Sequence, residues 1–352
     1  MATASRKEVE APMDFDQPMA RRQVIKGAGL GLGAGLVSEL LPAQAQAQTT
    51  VVAKADAANG EIWSSEYWAK KGEVPLWVYR KRIGAPKAGE SPRPVLFLVH
   101  GSSIDSRCFD LSVPGRGEYS MMNVFARHGF DVWTMDHENY GKSGRTSGNS
   151  DVASGAEDLK AAAEIVVRET GRRKFHVFGE SSGALRAGRF AMAQPQSVDR
   201  LALAALTYKG TDSPTLSKRA EQLDYYRAHN MRKRDREMIL SIFTRDKPGT
   251  TESGVGDALA DVELKFGDQV PTGTYLDMTA NLPVLDPKKV LSPVLILRGE
   301  HDGIATVPDL EDFYNQLPNG DRQTRHAHRS EIPLHRMAGS RGGGALREIE
   351  AL

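Results

Sequence analysis

Short, almost uninterrupted apolar runs recur through this chain and alternate with stretches in which apolar residues fall every third or fourth position. Residues 95–99, 175–178, 200–206 and 294–297 are of the first kind, and residues 131–136 read as another strand. Runs so short and so apolar suit strands covered on both faces, as in a parallel sheet. Residues 151–170 are of the second kind: Leu159, Ala162, Ile165 and Val166 share one helical face, which leaves Glu157, Lys160, Glu164 and Arg168 to water. Residues 121–128 and 184–193 also read as helices, and residues 74–82 as an edge strand. The alternation predicts an α/β fold, a mostly parallel central sheet with right-handed crossovers and helices on both faces. Chemistry is then expected at the carboxyl ends of the strands.

The alternation breaks between Tyr208 and Val290, where no buried strand is evident and a basic, helix-prone stretch covers residues 218–247. A connection of that length inside one domain reads as a functional insertion, here a helical lid. Its Arg232-Lys233-Arg234-Asp235-Arg236-Glu237 run mixes both signs without aromatics between them and is expected to be a solvated helix face. The expected organisation is therefore core over residues 60–208, lid over 209–290, core again over 291–335, and a loose tail over 336–352 containing Gly342-Gly343-Gly344.

Residues 1–47 stand apart. Arg21-Arg22 precede a weakly apolar, glycine-rich run, and small residues alternate at Ala43, Ala45 and Ala47 as an export peptidase requires. The segment resembles a twin-arginine signal, which a receptor reads. Glu39 and Pro42 interrupt it well short of the roughly 20 apolar residues of a membrane span. The expectation is export of the folded chain to the periplasm or beyond, with cleavage near Ala47, the export receptor as a partner and no stable membrane anchor. The Gly29 to Ala34 stretch matches a dinucleotide fingerprint, but no strand precedes it and a signal core explains it better.

The chain has 352 residues, 40% hydrophobic and 26% charged, enough for a sizeable core. Lys and Arg number 46 against 45 Asp and Glu, so no net field recruits nucleic acid or anionic lipid, and a small molecule is the expected partner. The lone Cys108 forms no internal disulfide, is expected to be a buried thiol, and suits folding before export.

The candidate chemistry centres on Gly179-Glu180-Ser181-Ser182-Gly183, set between an apolar run and a helical stretch. A serine at such a strand-to-helix bend is held clear of the backbone. The flanking glycines are needed where side chains would strike neighbouring elements. The N–H of Ser182 then points where charge develops on an attacked carbonyl, and the N–H of Ser102, in His100-Gly101-Ser102-Ser103, would supply a second oxyanion donor. His100 is expected to pack beneath that loop. A serine nucleophile needs a base and a carboxylate to orient it. Asp302, in Gly299-Glu300-His301-Asp302 after the run at 294–297, is the candidate acid, with Glu300 in reserve.

Taken together, these pieces resemble the α/β-hydrolases with a serine nucleophile. The resemblance rests on His100-Gly101, on Asp136 with Gly141 and Ser143, on the bend at Ser181, and on Gly299 to Asp302 followed by Val307-Pro308. Asn139 stands where that family often has glycine. Gly141-Lys142-Ser143 is no phosphate loop, because Asp136 occupies a required glycine position. The resemblance implies one more apolar strand after Pro318, ending in a loop with the catalytic histidine. Residues 322–330 are too charged for a buried strand; His335 lies nearest the implied distance from the acid, with His328 and His326 as alternatives. The His326-x-His328 pair lacks further ligands nearby, so no metal and no cofactor are expected. The implied activity is hydrolysis of a carboxylic ester or related acyl compound through an acyl-enzyme at Ser181. The alternative is a catalytically impaired relative that binds a small apolar ligand. A serine at the bend argues against family members that cleave epoxides or carbon–halogen bonds.

Overall fold

A computed structural model describes residues 60–327. Eight strands form one sheet: β1 (Ile62–Lys71), β2 (Val74–Ile83), β3 (Val95–Val99), β4 (Asp131–Met135), β5 (Phe175–Glu180), β6 (Val198–Ala204), β9 (Val294–Gly299) and β10 (Arg322–Ala327). Across the sheet they run β1-β2-β4-β3-β5-β6-β9-β10. The β1–β2 and β2–β4 pairings are antiparallel and every pairing from β4 onward is parallel. The sheet is thus the mostly parallel one anticipated, with β5 near its middle.

Period-two alternation sorts the apolar strands onto two cores. Val95, Phe97 and Val99 of β3 face one side together with Val177, Leu201, Leu203 and Ile296, packed on α2 (Val152–Thr170), α3 (Ser182–Ala193) and α9 (Val307–Asn315). Leu96 and Leu98 face the other side with Phe178, Ala202, Leu295 and Leu297, against α1 (Met121–Arg127). Both faces are covered, which is why β3 and the middle positions of β5, β6 and β9 are apolar. Helix starts are fixed locally: the Ser120 hydroxyl accepts the Asn123 N–H at 3.0 Å, and the Asp151 carboxylate accepts that of Ser154 at 2.7 Å.

Three expectations are corrected. β2 is interior, because β1 lies outside it; β1 escaped notice because only its Ala69 is fully buried. The segment after β9 does contain a strand, β10, which pairs in parallel with β9 and puts His326 in register with Arg298. It carries Arg322, Gln323 and Arg325 because it is the edge strand, with its 323 and 325 positions exposed, so the demand for apolar residues on both faces does not apply. Residues 232–237 are no solvated helix face. Arg232 belongs to β7 (Met231–Lys233), which pairs with β8 (Gln269–Pro271), and Arg234 is buried.

The rest of the inserted segment holds α4 (Pro214–Ala220), α5 (Leu223–Ala228), α6 (Arg236–Ile242), α7 (Val255–Glu263) and α8 (Gly273–Leu276). Ile239, Phe243, Val255, Leu259 and Ala260 join the same core as Leu98 and Phe178, so α6 and α7 are part of the sheet's cover. A buried ionic network ties them down. Arg234 pairs with Glu263 and donates to its backbone oxygen at 3.0 Å, while Glu263 accepts the Asp105 N–H on both carboxylate oxygens at 3.1 Å. Burial, then the neighbouring Asp105, pushes the Glu263 carboxyl up, and burial with Asp136 pushes Asp105 to about 6.

Removing the cation from this network leaves buried carboxyls uncompensated. Arg234→Met is expected to lower unfolding free energy by about 3–5 kcal/mol at neutral pH. The loss should shrink as pH falls through about 6, where Asp105 takes up a proton; urea titrations at about pH 7 and about pH 5 check it.

Candidate active site

Four strands deliver residues to one place. The carboxyl end of β3 leads into Gly101 to Ile104, that of β5 into Ser181, that of β6 into Ala205 and that of β9 into Asp302 and Ile304, and all of these line a cavity of about 100 Å³. The structure therefore brings Ser181, Ser102 and Asp302 to one cavity, although long stretches of sequence separate them.

Ser181 has φ 55 and ψ −122, outside the regions a side chain prefers. Its neighbours hold it there. A Cβ on Gly183 would overlap the carbonyl oxygens of Val99 and His100, and one on Gly179 would overlap the Gly183 carbonyl. Gly101 closes the packing from the other side, where a Cβ would lie 3.5 Å from the Ser181 Cβ. The Ser181 N–H donates to the Ala204 carbonyl at 2.8 Å, which extends the sheet one residue past β5. Although Ser181 precedes α3, its hydroxyl caps no N–H, so its oxygen is not spent on the helix.

The loop after β3 is equally well held. The Ser102 hydroxyl donates to the Ser182 hydroxyl at 2.7 Å and accepts from the Thr274 hydroxyl at 2.8 Å, while the Tyr140 hydroxyl donates to the Ser102 carbonyl at 2.9 Å. Among the described residues no partner occupies the N–H of Ser102, and that of Ser182 lies in the first turn of α3, where no helical carbonyl reaches it. Below, His100 is buried, its Nδ1 2.8 Å from the Gly101 carbonyl, and its Nε2 meets the His137 N–H at 3.2 Å. Burial holds its imidazole well below the usual range, hence neutral, as a support rather than a base. Asp136 staples the loops after β3 and β4, accepting from the Ser106 hydroxyl at 2.6 Å and the Lys142 N–H at 2.8 Å beside Arg107. Asn139 takes the left-handed backbone, φ 66, that a glycine would otherwise supply there.

The family model for serine aminopeptidase, S33, matches residues 90–330. The chain belongs to this family of α/β-hydrolases. In fold it is similar to carboxylesterase CesB from Bacillus subtilis, 18% identical over 84% of this chain and 92% of that one, with a TM-score of 0.57. The enol-lactonase from Burkholderia xenovorans LB400 is similar at 15% identity and a TM-score of 0.57, over 81% of this chain and 98% of that one. A bromoperoxidase from Bacillus anthracis matches at 16% identity and a TM-score of 0.56, over 82% and 98%. No curated protein matches the chain in sequence.

In this S33 hydrolase the candidate acid is half satisfied. Asp302 Oδ1 accepts the N–H groups of Ile304 at 2.8 Å and Ala305 at 3.1 Å, whereas Oδ2 is buried with no hydrogen-bond partner among the described residues. Burial, against those two N–H donors, raises its carboxyl above the usual range. A buried carboxylate oxygen wants a donor, and an imidazole N–H is the donor the family chemistry supplies. His328 and His335 lie outside the described residues, as do residues 1–47 with their expected export signal, and His326 is described only as a backbone position on β10. Glu300, the reserve acid, sits in the same turn, its carboxylate 3.8 Å from His301 Nε2.

One group in the cavity was not anticipated. Glu180, directly before Ser181, lines the cavity, and burial together with the Asp302 charge pushes its carboxyl up to about 8. The signal was present as an acid inside an otherwise apolar strand end. Cys108 is buried, as expected, and burial raises its thiol far above the usual range.

Because the Glu180 carboxyl rises from 4.5 to about 8 on folding, the unfolded chain ionises first, and stability is lost as pH climbs through that window. Glu180→Gln should remove this loss. Thermal melts of the variant and the wild type are expected to coincide near pH 4.5 and to diverge in the variant's favour by pH 8.5, on the order of 2 kcal/mol.

Proposed function

We propose that this chain is a serine hydrolase that cleaves a carboxylic ester or related acyl compound through an acyl-enzyme at Ser181. The observation that carries the reading is one cavity lined by a strained, uncapped Ser181 and by Asp302 with a buried, unpartnered oxygen. Ser181 Oγ attacks the carbonyl carbon while a histidine takes its proton. The N–H groups of Ser102 and Ser182 stabilise the oxyanion, and the same histidine returns the proton to the leaving group. Water then repeats the sequence on the acyl-enzyme. His335 is assigned as that histidine, with Asp302 Oδ2 accepting its other N–H and holding the tautomer. The first 47 residues are assigned to export of the folded chain, which mass spectrometry of periplasmic protein beginning near residue 48 supports and material beginning upstream of Met19 contradicts.

The test uses a neutral fluorophosphonate probe with p-nitrophenyl esters and, because of the family's name, aminoacyl p-nitroanilides. Labelling of Ser181 with ester turnover is expected. Ser181→Ala should remove both, and Asp302→Asn should cost roughly 10⁴-fold in kcat. His335→Ala should match Ser181→Ala, while His326→Ala and His328→Ala keep activity; loss in one of those instead moves the base to it. A chain that binds apolar esters without labelling is the ligand-binding relative and no enzyme.

A further inference from the structure

Beside the catalytic cavity lies a larger one of about 720 Å³, and the two share Ser103, Arg219, Ile242, Arg245 and Asp246 in their walls. The larger cavity is built almost wholly by the inserted segment, and its charge is lopsided. Lys218, Arg219, Arg232 and Arg245 line it, against one carboxylate, Asp246. That carboxylate is already taken, since both its oxygens accept from the Arg245 guanidinium, at 2.7 and 2.5 Å.

Arg219 and Arg232 converge on a single ring. Their guanidinium carbons lie 5.1 and 4.7 Å from the centroid of Tyr275, and among the described residues the only hydrogen-bond contact of Arg219 is a weak one to the Met278 sulfur at 3.9 Å. Neither forms an ion pair among the described residues. Burial pulls the Arg219 guanidinium below the ordinary arginine range, and the charges of Arg245 and Arg232 add to this against the pull of Tyr275. Stacking on an aromatic ring leaves most of the guanidinium donors unused. The Tyr275 hydroxyl is 2.6 Å from that of Ser103, so the cationic wall is joined to the loop that carries the Ser102 N–H. Two half-buried guanidiniums with no carboxylate partner among the described residues, opening on a cavity continuous with the catalytic one, form a receptor for an oxyanion.

We propose that the substrate of Ser181 is an acyl compound bearing a carboxylate or phosphate on the part remote from the scissile carbonyl, and that Arg219 and Arg232 bind that anion. The inference rests on the assignment of Ser181 as nucleophile and adds the charge of the substrate to it. Specificity then comes from the inserted segment, while the sheet supplies the chemistry. Because the anion is bound in the ground state and the transition state alike, loss of the arginines should appear chiefly in KM.

The experiment compares charged and neutral partners of matched size with the full chain: p-nitrophenyl hemiglutarate against p-nitrophenyl valerate for an anion on the acyl side, and p-acetoxybenzoate against phenyl acetate for one on the leaving group. In one of the pairs the charged ester is expected to have the higher kcat/KM, by roughly ten-fold or more, with the advantage shrinking as salt is added. Arg219→Gln with Arg232→Gln should abolish that ratio, and Arg219→Lys with Arg232→Lys should restore part of it. Calorimetric titration of glutarate and of inorganic phosphate into the wild type and the double glutamine variant, each checked for an unchanged melting temperature, separates the two anions without requiring turnover. Ser181 labelling with no charge preference and no anion binding overturns the inference and leaves the hydrolase reading standing. Anion binding lost in the glutamine variant but no Ser181 labelling keeps the receptor and overturns the nucleophile.

Discussion

The close approach of two stretches of backbone, at Gly183 against the carbonyls of Val99 and His100, is what the rest of the site depends on. It lets α3 begin directly above the end of β3, which forces Ser181 into its unfavourable backbone angles. Such strain persists only where surrounding structure over-determines it. Here the surroundings are the strand pairs on both sides of β5 and the bond from the Ser181 N–H to Ala204. The same approach sets Ser102 beside Ser182, hydroxyl to hydroxyl at 2.7 Å, so the proposed nucleophile and the proposed oxyanion donors depend on a single packing contact.

Charge is distributed across the site in a graded way. Beneath it, neutral His100 and the Asp136 cluster hold the loops without contributing a free charge. At its floor, burial and then the Asp302 charge push the Glu180 carboxyl up to about 8, so at neutral pH Glu180 favours its uncharged form. Outside it, the inserted segment supplies an excess of guanidinium groups. A near-zero net charge over the whole chain therefore conceals a local field directed from the insertion toward the serine.

Several sequence expectations failed for one reason, that the environment of a charged residue is set by its distant neighbours. Arg232, Arg234 and Arg236 are consecutive alternate positions with three fates: one stacked on Tyr275, one buried against Glu263, one exposed and paired with Asp257 and Asp261. Nothing local distinguishes them. Likewise the charged run at Arg322 is incompatible with a central strand and well suited to an edge one, and only the strand order says which it is.

What the sequence determined by itself was the part governed by short-range geometry. The apolar runs, the helical spacing of residues 151–170 and the glycines two before and two after Ser181 state the strands, the helices and the bend, because period and steric clearance are local properties. What the tertiary structure alone decided was which of these ends meet. Ser181, Asp302 and Ser102 share a cavity, and the insertion turns its cations toward it, through contacts between residues far apart in the chain, whose energies no local pattern encodes.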